Sequence, residues 1–165
     1  MLLYLVRHGI AVDREDQACP PEPDRPLTEK GMDKTRGAAR GLRKLGVQPS
    51  VVFSSPYVRA MQTAEIFCVV MELPVNRIRQ TESLLPGAPP RMLFEELAKS
   101  KAEETICCGH APNLDEVIAA AVHAPKPLTQ LKKAGAAALE MHSFRPVDGQ
   151  LIWLLSPRIL RDLQS

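Results

Sequence analysis

Apolar residues along the chain come in two textures. Leu2–Val6 and Thr105–Cys108 are short, largely apolar runs of strand length, and Val51–Ser54 is a third. Such runs, without alternation, mark strands covered on both faces. Between them, apolar positions recur at helical spacing. Thr28 reads as an N-cap with Leu27 and Met32 placed as a staple, followed by Met32, Thr35, Ala38, Ala39, Leu42 and Leu45, and Gly46 supplies a stop. Ser55-Pro56 is expected to open the next helix, whose stripe runs from Tyr57 through Ala60, Ala64 and Phe67 to Met71, before Pro74. A weaker strand is predicted over Arg77–Thr81. A Pro/Gly loop, Pro86 to Pro90, then leads to a helix near Arg91–Lys101 with Leu93, Leu97 and Ala98 inward. Pro112 starts a helix burying Leu114, Val117, Ile118 and Ala121. The chain closes with strands near Ala136–Met141 and Leu151–Leu155, joined through Pro146 and Asp148-Gly149, and a short helix near Arg158–Leu163. This alternation predicts an α/β fold: a three-layer α/β/α sandwich around a mostly parallel sheet, with the last strands antiparallel.

Composition narrows the class. The 165 residues suit one domain, 1–165, and 21 Lys+Arg against 19 Asp+Glu give a net charge of +2. A hydrophobic fraction of 45% with 24% charged residues excludes a collagen, a disordered tail or a membrane protein. The longest apolar runs, such as Leu151–Leu155, are far too short to span a bilayer. Met1–Val6 reaches Arg7-His8 before a signal-peptide core could form, so a cytoplasmic protein is expected, taken as a monomer. Nucleic acid is disfavoured by 4% aromatics and a mild pI of 8.4. Cys19, Cys68, Cys107 and Cys108 show no metal-ligand spacing and read as reduced, packed thiols.

The polar residues cluster at strand ends. Arg7-His8-Gly9 follows the first strand, Ser54-Ser55-Pro56-Tyr57-Val58-Arg59 the second, and Gly109-His110-Ala111-Pro112-Asn113 the third. Open α/β sheets bind ligands at the carboxyl ends of their strands, so two arginines and two histidines are expected to converge there. Arg59 lies in the first turn of its helix and His110 just before another, where the helix dipole disfavours a cation. A bound anion offsets both costs, and two guanidinium forks suit a tetrahedral phosphate. Each cluster alone could be a solvated strand end or a capping histidine; three together point to a phosphate pocket holding two imidazoles. His123 and His142 belong to no cluster and read as structural or exposed.

These residues resemble the histidine phosphatase superfamily, with its phosphoglycerate-mutase-like fold. The likeness is carried by Arg7-His8-Gly9, the Ser-Ser-Pro…Arg-Ala…Gln-Thr-Ala segment at 54–64, Gly109-His110, and Arg25-Pro26-Leu27-Thr28-Glu29-Lys30-Gly31. It runs from Leu2 to at least Leu114, and the short length looks most like the SixA-type phosphohistidine phosphatases. The resemblance implies that His8 takes the phosphoryl group as a phosphohistidine, with Arg7, Arg59 and His110 binding the transferring oxygens. Neutral imidazole is the nucleophilic form, and nearby arginines favour it. No metal or other cofactor is implied.

Larger members of the superfamily use a carboxylate to protonate the leaving alkoxide. Here Glu82 is the first candidate for such an acid and Asp13 the second. A P–N bond has a better leaving group, so an acid is dispensable for a phosphohistidine-bearing protein substrate. Two alternatives stand beside that substrate: a small-molecule phosphomonoester, and a non-catalytic module that binds phosphoanions.

Overall fold

The computed structural model describes residues 1–163. Six strands form one sheet: β1 (Leu2–Arg7), β2 (Val51–Ser54), β3 (Ile78–Gln80), β4 (Glu104–Gly109), β5 (Ala136–Phe144) and β6 (Val147–Leu155). Their order is β3-β2-β4-β1-β5-β6; the first four run parallel, and β5 and β6 antiparallel. The helices are α1 (Glu29–Lys44), α2 (Val58–Val70), α3 (Pro90–Leu97), α4 (Asn113–Ala121) and α5 (Pro157–Asp162).

Successive strand side chains point to opposite faces, which divides the core in two. Leu3, Leu5, Phe53 and Cys107 pack with Leu93 and Leu97 of α3 and Leu114 and Ile118 of α4. Tyr4, Val6, Val52 and Cys108 pack on the other face with Ala38 and Leu42 of α1, Phe67 of α2 and Leu160 of α5. The sheet therefore lies between two helical layers. Central β1 and β4 are almost wholly covered, which is why their sequences are continuous apolar runs.

Register sets the functional edge. Arg7 of β1 pairs with Gly109 of β4, and Ser54 of β2 pairs with Cys108. His8 N–H donates to Gly109 O at 3.0 Å, and Ser55 N–H to Cys108 O at 3.0 Å. His8, Ser55 and His110 thus emerge level with one another. Thr28 caps α1 by accepting from Gly31 N–H at 2.9 Å. Helix α1 lies so close to the loop after β1 that a Cβ on Gly9 would collide with Thr35 Oγ1. Only glycine fits there, and overpacking of this kind costs about 1–3 kcal/mol.

Three local expectations are corrected. The helix expected to open at Ser55-Pro56 begins at Val58, with Tyr57 as its extended N-cap. Ser55 is still engaged in the strand-end ladder, and its hydroxyl also receives Tyr57 N–H at 3.3 Å. The closing hairpin turns at Arg145-Pro146, since Phe144 pairs with Val147, and Asp148 and Gly149 belong to β6. An edge strand exposes every other residue to solvent, so polar Asp148 is tolerated within it. The third helix ends at Leu97 rather than Lys101. Among the described residues no helix is long and apolar enough to cross a membrane.

Candidate active site

A cleft of about 570 Å³ opens at the carboxyl ends of β1, β2 and β4. Arg7, His8, Arg59 and His110 all line it, together with Asp13, Arg14, Glu22, Arg25, Tyr57 and Lys133. The four residues singled out at the strand ends are therefore brought together. The His8 and His110 rings lie 5.1 Å apart between centroids, tilted by 59°, and both side chains are buried.

Hydrogen bonds fix which ring nitrogen of each histidine carries the proton. His8 Nδ1 lies 2.7 Å from Gly9 O. A carbonyl only accepts, so Nδ1 must donate and, in neutral imidazole, Nε2 is left with its lone pair. Arg59 Nε donates to that Nε2 at 3.2 Å. At His110, Arg59 Nη2 lies 3.4 Å from Nδ1, and Nε2 is 2.9 Å from Ser55 Oγ. A guanidinium has no lone pair to offer, so His110 Nδ1 accepts and its Nε2–H donates to Ser55. One arginine side chain thus faces both imidazoles.

Burial and charge keep both rings neutral. His8 is pushed down to about 3, first by desolvation and then by the neighbouring His110, Arg59 and Arg7, against the bond to Gly9 O. His110 is likewise pushed down to about 3, by desolvation and then Arg59, partly opposed by Glu22. A protonated imidazole here would add a buried cation to a site already crowded with them.

Arg59 needs a counter-charge, since it is 2% exposed and at the positive end of α2. Glu22 supplies one: its Oε1 receives Arg59 Nη2 at 2.9 Å and its carbonyl receives Nη1 at 2.7 Å. The same carboxylate receives Arg14 at 2.9 Å through both Nε and Nη2, and Arg25 Nη2 at 3.1 Å. Held by three guanidiniums, with Arg14 first, Glu22 is pushed down to about 2. The Arg59 guanidinium also stacks 5.0 Å above Tyr57, whose ring meets His110 edge-on at 5.2 Å. Arg7 Nη1 donates to Leu131 O at 2.9 Å, while its Nε is buried without a partner.

Other candidates fall elsewhere. Glu82 is exposed on a short turn, Glu82–Leu84, and is not among the residues lining the cleft, whereas Pro86 is. Asp13 does line it. His123 and His142 lie far along the fold, on either side of Asp148 at 3.5 and 3.3 Å. Sequence reasoning missed Glu22, Arg14 and Arg25 as a unit with Arg59, and missed Ser55 as the partner of His110. The loop carrying the first three has no periodicity, and its Pro and acid content signals only a polar surface. The Arg25-Pro26-Leu27 segment was the one available pointer.

The model of the histidine phosphatase superfamily (branch 1) matches residues 3–104. The chain belongs to that superfamily. It is 35% identical to an uncharacterized protein of Picosynechococcus sp. over 97% of this chain and 99% of that one. It superposes on the protein histidine phosphatase SixA complexed with tungstate with a TM-score of 0.85 at 24% identity, covering 97% and 99% of the two chains. A mycobacterial glucosyl-3-phosphoglycerate phosphatase complexed with inorganic phosphate gives a TM-score of 0.71 at 21% identity over 95% and 98%.

Proposed function

We propose that the protein is a phosphohistidine phosphatase that accepts phosphoryl groups from histidine on a partner protein, through a covalent intermediate on His8. The observation that carries this reading is the His8 ring: its Nδ1 is tied to Gly9 O and its unprotonated Nε2 faces the cleft beside Arg59. That nitrogen attacks phosphorus, the P–N bond to the donor imidazole breaks, and the phosphoryl group resides on His8 Nε2. Water then attacks the same phosphorus, phosphate leaves, and His8 is regenerated as neutral imidazole.

The remaining residues bind charge. Arg7 and Arg59 offer guanidinium donors to the equatorial oxygens, where phosphoryl transfer needs positioning and electrostatic support most. His110 Nδ1 accepts from Arg59, and becomes a donor by taking up a proton as a phosphate dianion arrives. The SixA likeness, with tungstate as a tetrahedral oxyanion, supports this allocation. No step requires a metal or cofactor. A reducing, cytoplasmic setting belongs to the same reading, in keeping with four free cysteines.

The cleft also bears on the leaving group. Glu22 is held ionised by three arginines and has no proton to give. A histidine leaving group can be protonated by solvent at its distal nitrogen, whereas an alkoxide needs a positioned acid. Asp13 on the cleft wall is the observation favouring a second reading, a small-molecule phosphomonoesterase in which that carboxyl protonates the leaving oxygen. Purified protein should be offered phosphohistidine peptide, phosphoserine peptide and sugar phosphates in parallel. Phosphohistidine turning over at least tenfold faster in kcat/KM is the expected result. A preference for sugar phosphates that is lost in Asp13→Asn would install the second reading instead.

A further inference from the structure

A second groove of about 590 Å³ adjoins the catalytic cleft, and Arg7, Ile10 and Lys133 line both. Its remaining charged lining is Lys34 of α1, Lys132 in the loop before β5, and Arg158 and Arg161 of α5. Its wall is mainly apolar, built largely from the aliphatic stems of these side chains, and among the described residues six cations border it, counting Arg7 and Lys133, with no carboxylate. Among the described residues none of the six lies within salt-bridge distance of an acid; Lys132 donates to Gln130 Oε1 instead.

This concentration is out of step with the rest of the molecule. The chain as a whole carries 21 basic and 19 acidic residues. On the catalytic cleft, acids are interleaved with the arginines: Glu22 ties up Arg14, Arg25 and Arg59, with Asp13 and Glu15 nearby. Among the described residues these six like charges have no paired counter-charge, their mutual repulsion is unfavourable, and an anionic occupant relieves it. Elements distant in sequence supply them, so no single basic run accounts for the patch.

We infer that this groove is a docking surface for an acidic segment of the phosphorylated partner protein, whose apolar stems cover the groove wall and whose carboxylates meet the basic heads bordering it while the phosphohistidine enters the cleft. The inference rests on the phosphohistidine reading above and specifies its partner: a protein with Asp or Glu residues flanking the modified histidine. Arg7 and Lys133 form the seam between the two anionic parts of the ligand. Complementary charge at the rim acts mainly on encounter rate and is weakened by salt.

The test compares two synthetic phosphohistidine peptides, one with Asp and Glu flanking the histidine and one with Asn and Gln. The enzymes are wild type and Lys132→Glu/Arg158→Glu/Arg161→Glu, a variant that leaves Arg7, Lys133 and the cleft untouched. Wild type should favour the acidic peptide by about tenfold in kcat/KM at low salt, and less as salt is raised. The variant should show no preference while hydrolysing p-nitrophenyl phosphate at the wild-type rate. Equal use of the two peptides by wild type, or a preference that survives in the variant, overturns the proposal. Should the reversed variant fold poorly in thermal melts, Lys132→Gln/Arg158→Gln/Arg161→Gln is expected to lose about half of the logarithmic preference. If neither peptide is hydrolysed although p-nitrophenyl phosphate is, the phosphohistidine reading fails by itself. Fluorescence anisotropy of the unphosphorylated acidic peptide then decides the groove: binding abolished in the variant supports it, and binding equal in both overturns it. Tripolyphosphate binding at the groove without peptide binding overturns it too, in favour of a small anion.

Discussion

Acidification from pH 7.5 to pH 5 tests the electrostatics of the site most directly. A histidine at its ordinary value near 6.5 is about 97% protonated at pH 5. His8, held at about 3 chiefly by burial, stays about 99% neutral at that pH. Nitrogen-15 NMR of histidine-labelled protein, with His8→Ala and His110→Ala to assign signals, reads this state for each ring nitrogen. His8 Nδ1 should keep its protonated signature and Nε2 its lone-pair signature from pH 8 to pH 5. Stability must follow. The unfolded chain takes up protons below about 6.5 that the folded chain refuses until about 3, so unfolding free energy rises with pH in that window and is lost as pH falls through it. One pKa unit corresponds to about 1.4 kcal/mol, so each ring's displacement carries on the order of 5 kcal/mol at full extent. The two contributions are not additive, because protonating either ring raises the cost of protonating the other. Denaturant melts at pH 7, 6, 5 and 4 give the slope, which cannot exceed about 2.7 kcal/mol per pH unit for two groups. Imidazolium shifts at both His8 nitrogens with a midpoint above pH 5, or stability unchanged between pH 6.5 and 4, would refute the reasoning.

Three further outcomes are expected. His8→Ala should abolish turnover, whereas Arg59→Ala should slow it about 10²–10³-fold and still allow label to be trapped on His8 by an alkaline quench; label on His110 with His8→Ala active would exchange their roles. Glu22→Gln removes a carboxylate that competes for Arg59, while Arg59 keeps its bonds to His8 and the Glu22 carbonyl; titration calorimetry should show inorganic phosphate binding several-fold tighter, and weaker binding would mean that Glu22 chiefly orients the arginine. Turnover should survive exhaustive chelation, since five cations outnumber the three carboxylates of the cleft and three of them already hold Glu22; activity lost to chelator and restored only by added metal would contradict this.

Much of the architecture was legible because β1 and β4 are covered on both faces, which forces continuous apolar runs that no loop imitates. Histidines placed directly after those runs inherit the strand register, so His8 and His110 could be brought together without a structure. Glu22 could not, because its three guanidinium partners come from a loop and a helix with no shared period, and ion pairing leaves no mark on hydropathy. Glu82 failed as a cleft residue for a related reason. Sequence places it after β3, but an exposed edge strand constrains poorly where its following turn points. The Ser55-Pro56 cap misled because serine before proline fits a helix start equally well when its hydroxyl is engaged across the sheet with a histidine.

The bonds joining His8 N–H to Gly109 O and Ser55 N–H to Cys108 O set a hierarchy of motion. These amides extend the ladder of the central strands, so displacing the two imidazoles relative to each other means unzipping the middle of the sheet. Such openings belong to the rarest excursions a folded chain makes, whereas surface loops open far more often. The loop bearing Glu22 is held to the cleft by the Arg59 side chain, through contacts that are independent of that ladder. The spacing of the two imidazole-bearing strand ends is thus tied to the integrity of the sheet itself, and the placing of Glu22 to the ion pairs of one loop.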